Sequence, residues 1–543
     1  MYPLACSRII EQYRHRGRAM RSAPSAPHTL PFQLSTRVSV RRPRRIKYRL
    51  PRSSVVPAPA TAAVPPLAYG DRLLEAYLPK AIASEGRLLT PRTPAGAPEI
   101  PDVDTVLRNA LEVSSTPDIV PPLKDWIESR YRGGDVSIIV DDYTRPCVHQ
   151  RRLLPGLLEW LHDQGVERGR TSILVATATH RDPTGEEYAT MFGPVVWPQW
   201  WDRTFPHHDT EDLESFGTMP DGTPIEINGR AARSEAIISL SDLDYHYFAG
   251  VSGGPKHLVP GIAGRALTTA DHLRMFGEVG FAANVDMGIL DGNPVYEYKR
   301  IAIRRILEAF GARGTFVYAV ISVLNPRHGF VALEGGEIMA LHRKLRRVLD
   351  RVYVANVPKL ADVVIVSARH LGINVYQAGK AINTAARAVR PGGTILCLAP
   401  CRDGFGNDEF RELMGLTVPF LRDAEKRITA GADPVKEGAA AIDRALRAVQ
   451  KAVVRNFRIG RQKPVDLLAQ YRRTGWGNLW LLCDGLSDED RALLPFRYVG
   501  AGEKDPQVLL RAWVEERERS GRPSYLVIDD PTYWVRTEGA GPG

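Results

Sequence analysis

Short, continuous apolar runs rich in β-branched residues recur along this chain, separated by longer stretches whose apolar positions fall at helical spacing. After the Gly133-Gly134 turn, residues 135–140 read DVSIIV, and SILVATA (172–178) and AIISL (236–240) repeat the pattern. Continuous rather than alternating hydrophobicity predicts strands buried on both faces. A helix is predicted over about residues 152–164, between the first two runs. A second series is predicted at 315–323 (TFVYAVISV), 362–367, 394–398, 479–483 and 525–528. Alternating strands and helices imply parallel strands with crossover helices. The expected fold class is therefore α/β, with two doubly wound domains joined near residues 325–340. The expected site lies at their interface, outside the C-terminal strand ends. The implied organisation is a tail (1–66), a catalytic and cofactor-binding domain (67–330) and a domain contributing substrate-binding residues (331–543).

With 543 residues and 44% apolar content, the chain can bury a large core. It contains no run of about 18 uncharged apolar residues, so no spanning helix is expected. The net charge of +10 would suggest nucleic acid if it were spread over the body, but it is concentrated before residue 67. Arg41, Arg42, Arg44, Arg45, Lys47 and Arg49 stand there against a single acid, Glu11. The remainder is close to neutral, and neither a nucleic-acid nor a membrane partner is expected. The Pro/Ser/Ala-rich tail lacks apolar periodicity and is expected to be disordered. It reads as a transit peptide, a basic arm, or residues upstream of the working start; a secretory signal is disfavoured for want of an apolar h-region. Cys6, Cys147, Cys397, Cys401 and Cys483 are few and scattered, which argues against a disulfide framework and suits a reducing, cytoplasmic compartment.

The chemistry-bearing motifs fall at strand ends. DDYTRP (141–146) follows the first strand, and THRDPT (179–184) follows the second. Thr144 and Arg145 suit a carboxylate or phosphate through hydroxyl and guanidinium donors, although Asp142 and Thr144 could equally cap a helix. GVSGG (250–254), then Pro255 and Lys256, offers backbone amides without side-chain obstruction, beside a nucleophilic amine. A phosphate-binding P-loop is excluded, because Pro255 stands where that motif needs glycine and His257 where it needs Ser or Thr. RPGGTILCLAP (390–400) reads as a turn and strand of a doubly wound sheet.

In order and spacing, these elements resemble the lactate racemase family over roughly residues 67–410. DDYTRP resembles its D-x-T-R-P element, THRDPT its G-H-R-x-x-T element, and HYFAGVSGGPKHLVPGIAG its H-x-F-A-G-x-S-G-G-x-K element. LDGNPVYE (290–297) is similar to its G-N-P segment, and NVYQAGK (374–380) to the element that supplies a glutamine and a lysine to the substrate. Thr179 stands where the family usually has glycine, so local backbone or pocket width departs from the pattern.

The resemblance implies a nickel-pincer nucleotide, a pyridinium thiocarboxylate mononucleotide that grips Ni2+ through a ring carbon and two sulfurs. His272 would be the protein's metal ligand, a chemically suitable role for neutral imidazole. Lys256 would contact or covalently join the cofactor, with Asp142, Thr144, Ser252, Gly253 and Gly254 around it. His180 and His246 would serve the two faces of a 2-hydroxy acid, while Arg145, Gln377 and Lys380 hold its carboxylate and carbonyl oxygen. The implied reaction is racemisation or epimerisation at carbon 2 by reversible hydride transfer. The implied partners are the small substrate and cofactor-building enzymes. An oxidoreductase or a noncatalytic nucleotide-binding protein on the same scaffold is the alternative.

Overall fold

The computed structural model describes residues 64–75, 78–92, 94, 96–499 and 505–538. The basic tail, residues 1–66, lies outside the described residues except for its last three. In chain order, the strands of two central sheets are β1 (Leu88–Leu89), β2 (Val136–Val140), β3 (Thr171–Val175), β4 (Thr204–Pro206), β5 (Ala236–Leu243), β6 (Phe316–Leu324), β7 (Phe330–Gly336), β8 (Ala361–Ser367), β9 (Val389–Leu398), β10 (Leu479–Leu482), β11 (Arg497–Tyr498) and β12 (Tyr525–Ile528). The first sheet runs β7-β6-β5-β2-β3-β4 and the second β11-β10-β9-β8-β12-β1. All their pairings are parallel except the β6–β7 hairpin.

Burial explains the unbroken apolar runs. Every position of β2 and β3 is buried. Helix α1 (Val148–Asp163) packs Leu153, Leu154 and Leu157 on one face, against Ile138, Val140 and Ile173. After α2 (Arg265–Leu273), which follows the Gly-rich loop, α3 (Ile338–Tyr353) packs Leu341, Leu345 and Leu349 on the other face, against Ile139, Ile237 and Ile321. Successive residues of one strand thus serve opposite cores, as a doubly covered parallel sheet requires. In the second lobe α4 (Val375–Ala388) and α5 (Lys463–Thr474) share a core with Ile395 and Cys397 of β9.

Three features differ from the sequence expectation. β6, expected to open the second series, pairs with β5 in the first sheet, because a run buried on both faces looks the same in either sheet. β7 and α3 then extend that lobe to Tyr353, past the expected junction at 325–340. The segment expected to begin the first domain belongs elsewhere: Leu67, Tyr69 and Leu74 are buried against Val363, Ile365 and Leu396, and β1 edges the second sheet.

Strand order reverses between β2 and β5 in the first sheet and between β8 and β12 in the second, and such switch points open crevices at the carboxyl ends. Cross-lobe contacts hold these ends together. Gln450 bonds both Gly280 N and Gly277 O at 2.7 Å, and Phe276 and Phe281 pack on the second lobe's core. The strand Trp534–Thr537 pairs with Val354–Val357, seating Trp534 in the first lobe's core beside Tyr245. Among the described residues, no helix is long and apolar enough to cross a membrane.

Candidate active site

The loop after β2 carries Asp142, which is buried and accepts hydrogen bonds from Thr144 N at 3.2 Å and Thr144 Oγ1 at 2.5 Å. Its other oxygen lies 2.5 Å from Nδ1 of His180, which follows β3. With Nδ1–H donated to the carboxylate, Nε2 of His180 is left as an acceptor, the state a general base needs. His246 follows β5, and its Nδ1 accepts a hydrogen bond from Ala249 N at 3.3 Å. Burial, Lys256 and Arg145 hold its imidazole well below the ordinary histidine range. Its neutral form is therefore favoured.

The Gly-rich loop is shaped by close backbone contacts. A Cβ on Gly253, where φ is +74°, would stand 2.0 Å from the carbonyl oxygen of Asp242; one on Gly250, where φ is +79°, would stand 2.2 Å from that of Ile289. The expectation that this run leaves its amides free is corrected at Val251, Ser252 and Gly254: Val251 N donates to Ala249 O at 3.0 Å, Ser252 N to Asp244 O at 2.7 Å and Gly254 N to Ser241 Oγ at 2.8 Å. The glycines let this loop pack directly on the end of β5, and that packing uses the amides. Lys256 follows. Burial, Arg145 and Lys299 hold its amine well below the usual lysine range, favouring the neutral nucleophile.

His272 sits in α2 and is 4% exposed, with Nδ1 2.8 Å from the carbonyl oxygen of Thr268 one turn earlier. That bond fixes the proton on Nδ1 and leaves Nε2 as a ligand atom, the usual arrangement for a metal-binding histidine. Burial, Lys299 and Lys256 push its pKa down to about 3, so protons do not compete for Nε2 at neutral pH. Phe248 and Phe457 flank the ring, with centroids 5.3 and 5.9 Å away. These residues fit the ligand role that a nickel nucleotide requires.

The second lobe supplies Gln377 and Lys380, three residues apart in the first turns of α4, whose N-cap Asn374 accepts from Gln377 N at 2.9 Å. Desolvation, Lys463 and Arg145 hold Lys380 down to about 8, so Arg145 of the first lobe and Lys380 of the second act on one region. Arg145 is exposed, leaving its guanidinium accessible to a ligand. A cavity of about 580 Å³ opens beside His180, with Thr179, Arg265, Thr268, Phe457 and Arg458 in its wall.

Several residues here were not singled out from sequence. Beneath the switch point, His149 of α1 lies between two carboxylates, its Nδ1 3.2 Å from Asp242 and its Nε2 3.5 Å from Asp141. His257 Nε2 meets Asp141 at 3.1 Å. Burial favours the neutral acid, but the His257 hydrogen bond and nearby His149 outweigh it and hold Asp141 below the usual carboxylate range; burial pushes Asp242 up to about 6. Lys299 pairs with buried Asp271 at 3.1 Å, next to His272. Three of these residues adjoin ones already singled out: Asp141 beside Asp142, His257 beside Lys256 and Asp271 beside His272. Those doublets were the available signal.

The fold thus gives a two-lobed α/β protein in which His180, His246, His272 and the buried amine of Lys256 lie near one another. Residues 75–283 match the model of the lactate racemase N-terminal domain, and residues 357–430 that of the lactate racemase C-terminal domain. The lactate racemase of Thermoanaerobacterium thermosaccharolyticum is 30% identical over 312 residues, covering 56% of this chain and 68% of that protein. The lactate racemase of Lactiplantibacillus plantarum is 30% identical over 292 residues, covering 53% and 65%. The solved apoprotein of the T. thermosaccharolyticum lactate racemase superposes with a TM-score of 0.66 at 22% identity, covering 87% of this chain and 99% of that one. A Thermotoga maritima protein superposes with a TM-score of 0.51 at 17% identity, covering 77% and 96%. The chain belongs to the lactate racemase family, and it is an isomerase of the racemase type.

Proposed function

We propose that this enzyme inverts carbon 2 of a 2-hydroxy acid, with a nickel-pincer nucleotide held in the cleft. When bound, that group supplies a reversible hydride acceptor. His272 would ligate its nickel through Nε2, and Lys256 would engage its thiocarboxylate end, with Ser252, Gly253 and Gly254 lining the loop between. Arg145, Gln377 and Lys380 hold the substrate carboxylate and carbonyl oxygen, which aligns carbon 2 and replaces random encounter with fixed geometry.

His180 accepts the hydroxyl proton of one stereoisomer at Nε2, and Asp142 stabilises the imidazolium that results. His246 handles the proton of the other stereoisomer. Two bases are needed because one imidazole cannot reach both faces of a planar 2-oxo acid.

The observation that carries this reading is the 2.5 Å contact between Asp142 and His180 in a cleft that also holds neutral His246 and His272. Chiral chromatography of single enantiomers incubated with the cofactor-loaded enzyme tests it. Interconversion should be lost in His180→Ala and in His246→Ala, with bound nickel unchanged. Interconversion at wild-type rate in either variant would refute the assignment.

A further inference from the structure

Beneath the cleft, side chains from separate parts of the first lobe meet at the switch point between β2 and β5. Asp141 directly follows β2, Asp242 lies near the end of β5, His149 is in the first turn of α1, and His257 closes the Gly-rich loop. One ligand atom each of Asp141, His149 and Asp242 lies within 4.8 Å of the other two. Bonds of about 2.1 Å place the ligands of a single ion roughly 3–4 Å apart, so small side-chain adjustments would close this set on a cation.

His149 is not satisfied within this set. Its side chain is 1% exposed, yet Nε2 makes no hydrogen bond and stands 3.5 Å from Asp141 Oδ2. An orphaned buried nitrogen facing a carboxylate calls for an ion or a water between them. On the other side of the ring, Nδ1 lies 3.2 Å from Asp242 Oδ1. His257 holds the second oxygen of Asp141: its Nε2–H donates to Oδ1 at 3.1 Å, while Nδ1 accepts from Ser239 Oγ at 3.0 Å. Such an outer partner is usual for a carboxylate that binds metal, and it leaves Oδ2 turned toward His149. Among the described residues, no Lys or Arg forms an ion pair with either carboxylate, and Arg145 acts on both only at longer range. The Asp141 and Asp242 side chains are 14% and 25% exposed, which gives an ion a way in and water room to complete its coordination.

We infer that Asp141, His149 and Asp242 form a binding site for a divalent ion of the zinc type, distinct in its ligands from the nickel position at His272. Two carboxylates and one imidazole, with further positions left to water, suit zinc or manganese better than magnesium, which favours oxygen ligands alone. The ion supplies the partner that Nε2 of His149 lacks, and it ties β2, β5 and α1 together beneath the loop carrying Asp142 and Arg145. The site is independent of the reaction assigned to the cleft.

The test uses cofactor-free protein, stripped with EDTA, then titrated with zinc by calorimetry and assayed for bound metal after gel filtration. The wild type should hold one zinc with a Kd of about 1 µM or tighter, and millimolar magnesium should not displace it. His149→Gln and Asp242→Asn, each checked for folding by circular dichroism, should bind zinc at least about tenfold more weakly. Should one of these two not fold, the other carries the comparison. Zinc should raise Tm in the wild type and not in the variants. His272→Ala should keep the zinc. Absence of tight binding, or equal affinity in the folded variants, would overturn the inference and leave a water or a protonated His149 between the carboxylates. Zinc lost in His272→Ala but kept in His149→Gln would overturn it too, by placing the ion at the nickel position. No turnover is measured, so the result stands whether or not the racemase reading does.

Discussion

The carboxylate of Asp142 and Nδ1 of His180 lie 2.5 Å apart, joining the loops that end two neighbouring parallel strands, β2 and β3. The contact selects the tautomer in which Nε2 faces the cleft as a base. Asp142→Asn removes the charge that stabilises the imidazolium, and it should lower kcat by about 10²-fold or more, within the range of general acid–base contributions. Bound nickel should stay the same. Initial rates from each enantiomer, with metal analysis of the same samples, check this; unchanged rates would show that Asp142 does not orient the base.

His272 offers Nε2 because Nδ1 is committed to Thr268 O at 2.8 Å. His272→Ala should release nickel from the purified holoenzyme, and His272→Gln should not restore it. Elemental analysis after gel filtration gives the result. Stoichiometric nickel in His272→Ala would place the ligand elsewhere.

Gly253 takes a positive φ of 74° and stands against the Asp242 carbonyl. Gly253→Ala should destabilise the protein by at least about 1–3 kcal/mol, the cost of a strained backbone position, before any relief of the clash. Denaturant midpoints at constant m-value measure this. A loss under about 0.5 kcal/mol, the usual range for a neutral surface change, would mean that the loop has room to shift.

Much of this was legible in the sequence. Strand-end loops carrying His180, His246 and Lys256 follow from buried apolar runs, because a parallel sheet delivers every loop after a strand to one edge. The location of β6 was not legible, since its continuous hydrophobicity suits either sheet; nor was the return of residues 67–89 to the second lobe, since pairing over such sequence distance leaves no local pattern. His149 was missed because a lone histidine in an apolar helix gives no sign of the two carboxylates that topology brings to it.

Stability should fall with acid. Burial holds His207 down to about 4 and, with neighbouring cations, His272 and His342 down to about 3, against an ordinary value near 6.5. Below about pH 6.5 the unfolded chain takes up protons at these residues and the folded chain does not. Their contribution is therefore complete above that pH and declines as pH falls toward 4, by up to about 1.4 kcal/mol per unit for each histidine. Asp242, raised to about 6, opposes this, as do Asp244, Asp271 and Asp529, whose carboxyls burial also raises, while Asp141, Glu187 and Asp362, held low by their hydrogen-bond partners, act with the histidines. Tm in cofactor-free protein should be lower at pH 5 than at pH 7.5; a flat or rising profile would contradict the burial of neutral imidazoles.

The central claim is that carbon 2 loses and regains the same hydrogen as hydride while two histidines move only the hydroxyl proton. Turnover of a 2-deuterated 2-hydroxy acid by the cofactor-loaded enzyme in ordinary water, followed by mass spectrometry of the inverted product, tests it most directly. The account predicts that deuterium stays on carbon 2 in the product. Wash-out of the label into solvent at the rate of inversion would instead show direct abstraction of the carbon-bound proton, and would contradict the account.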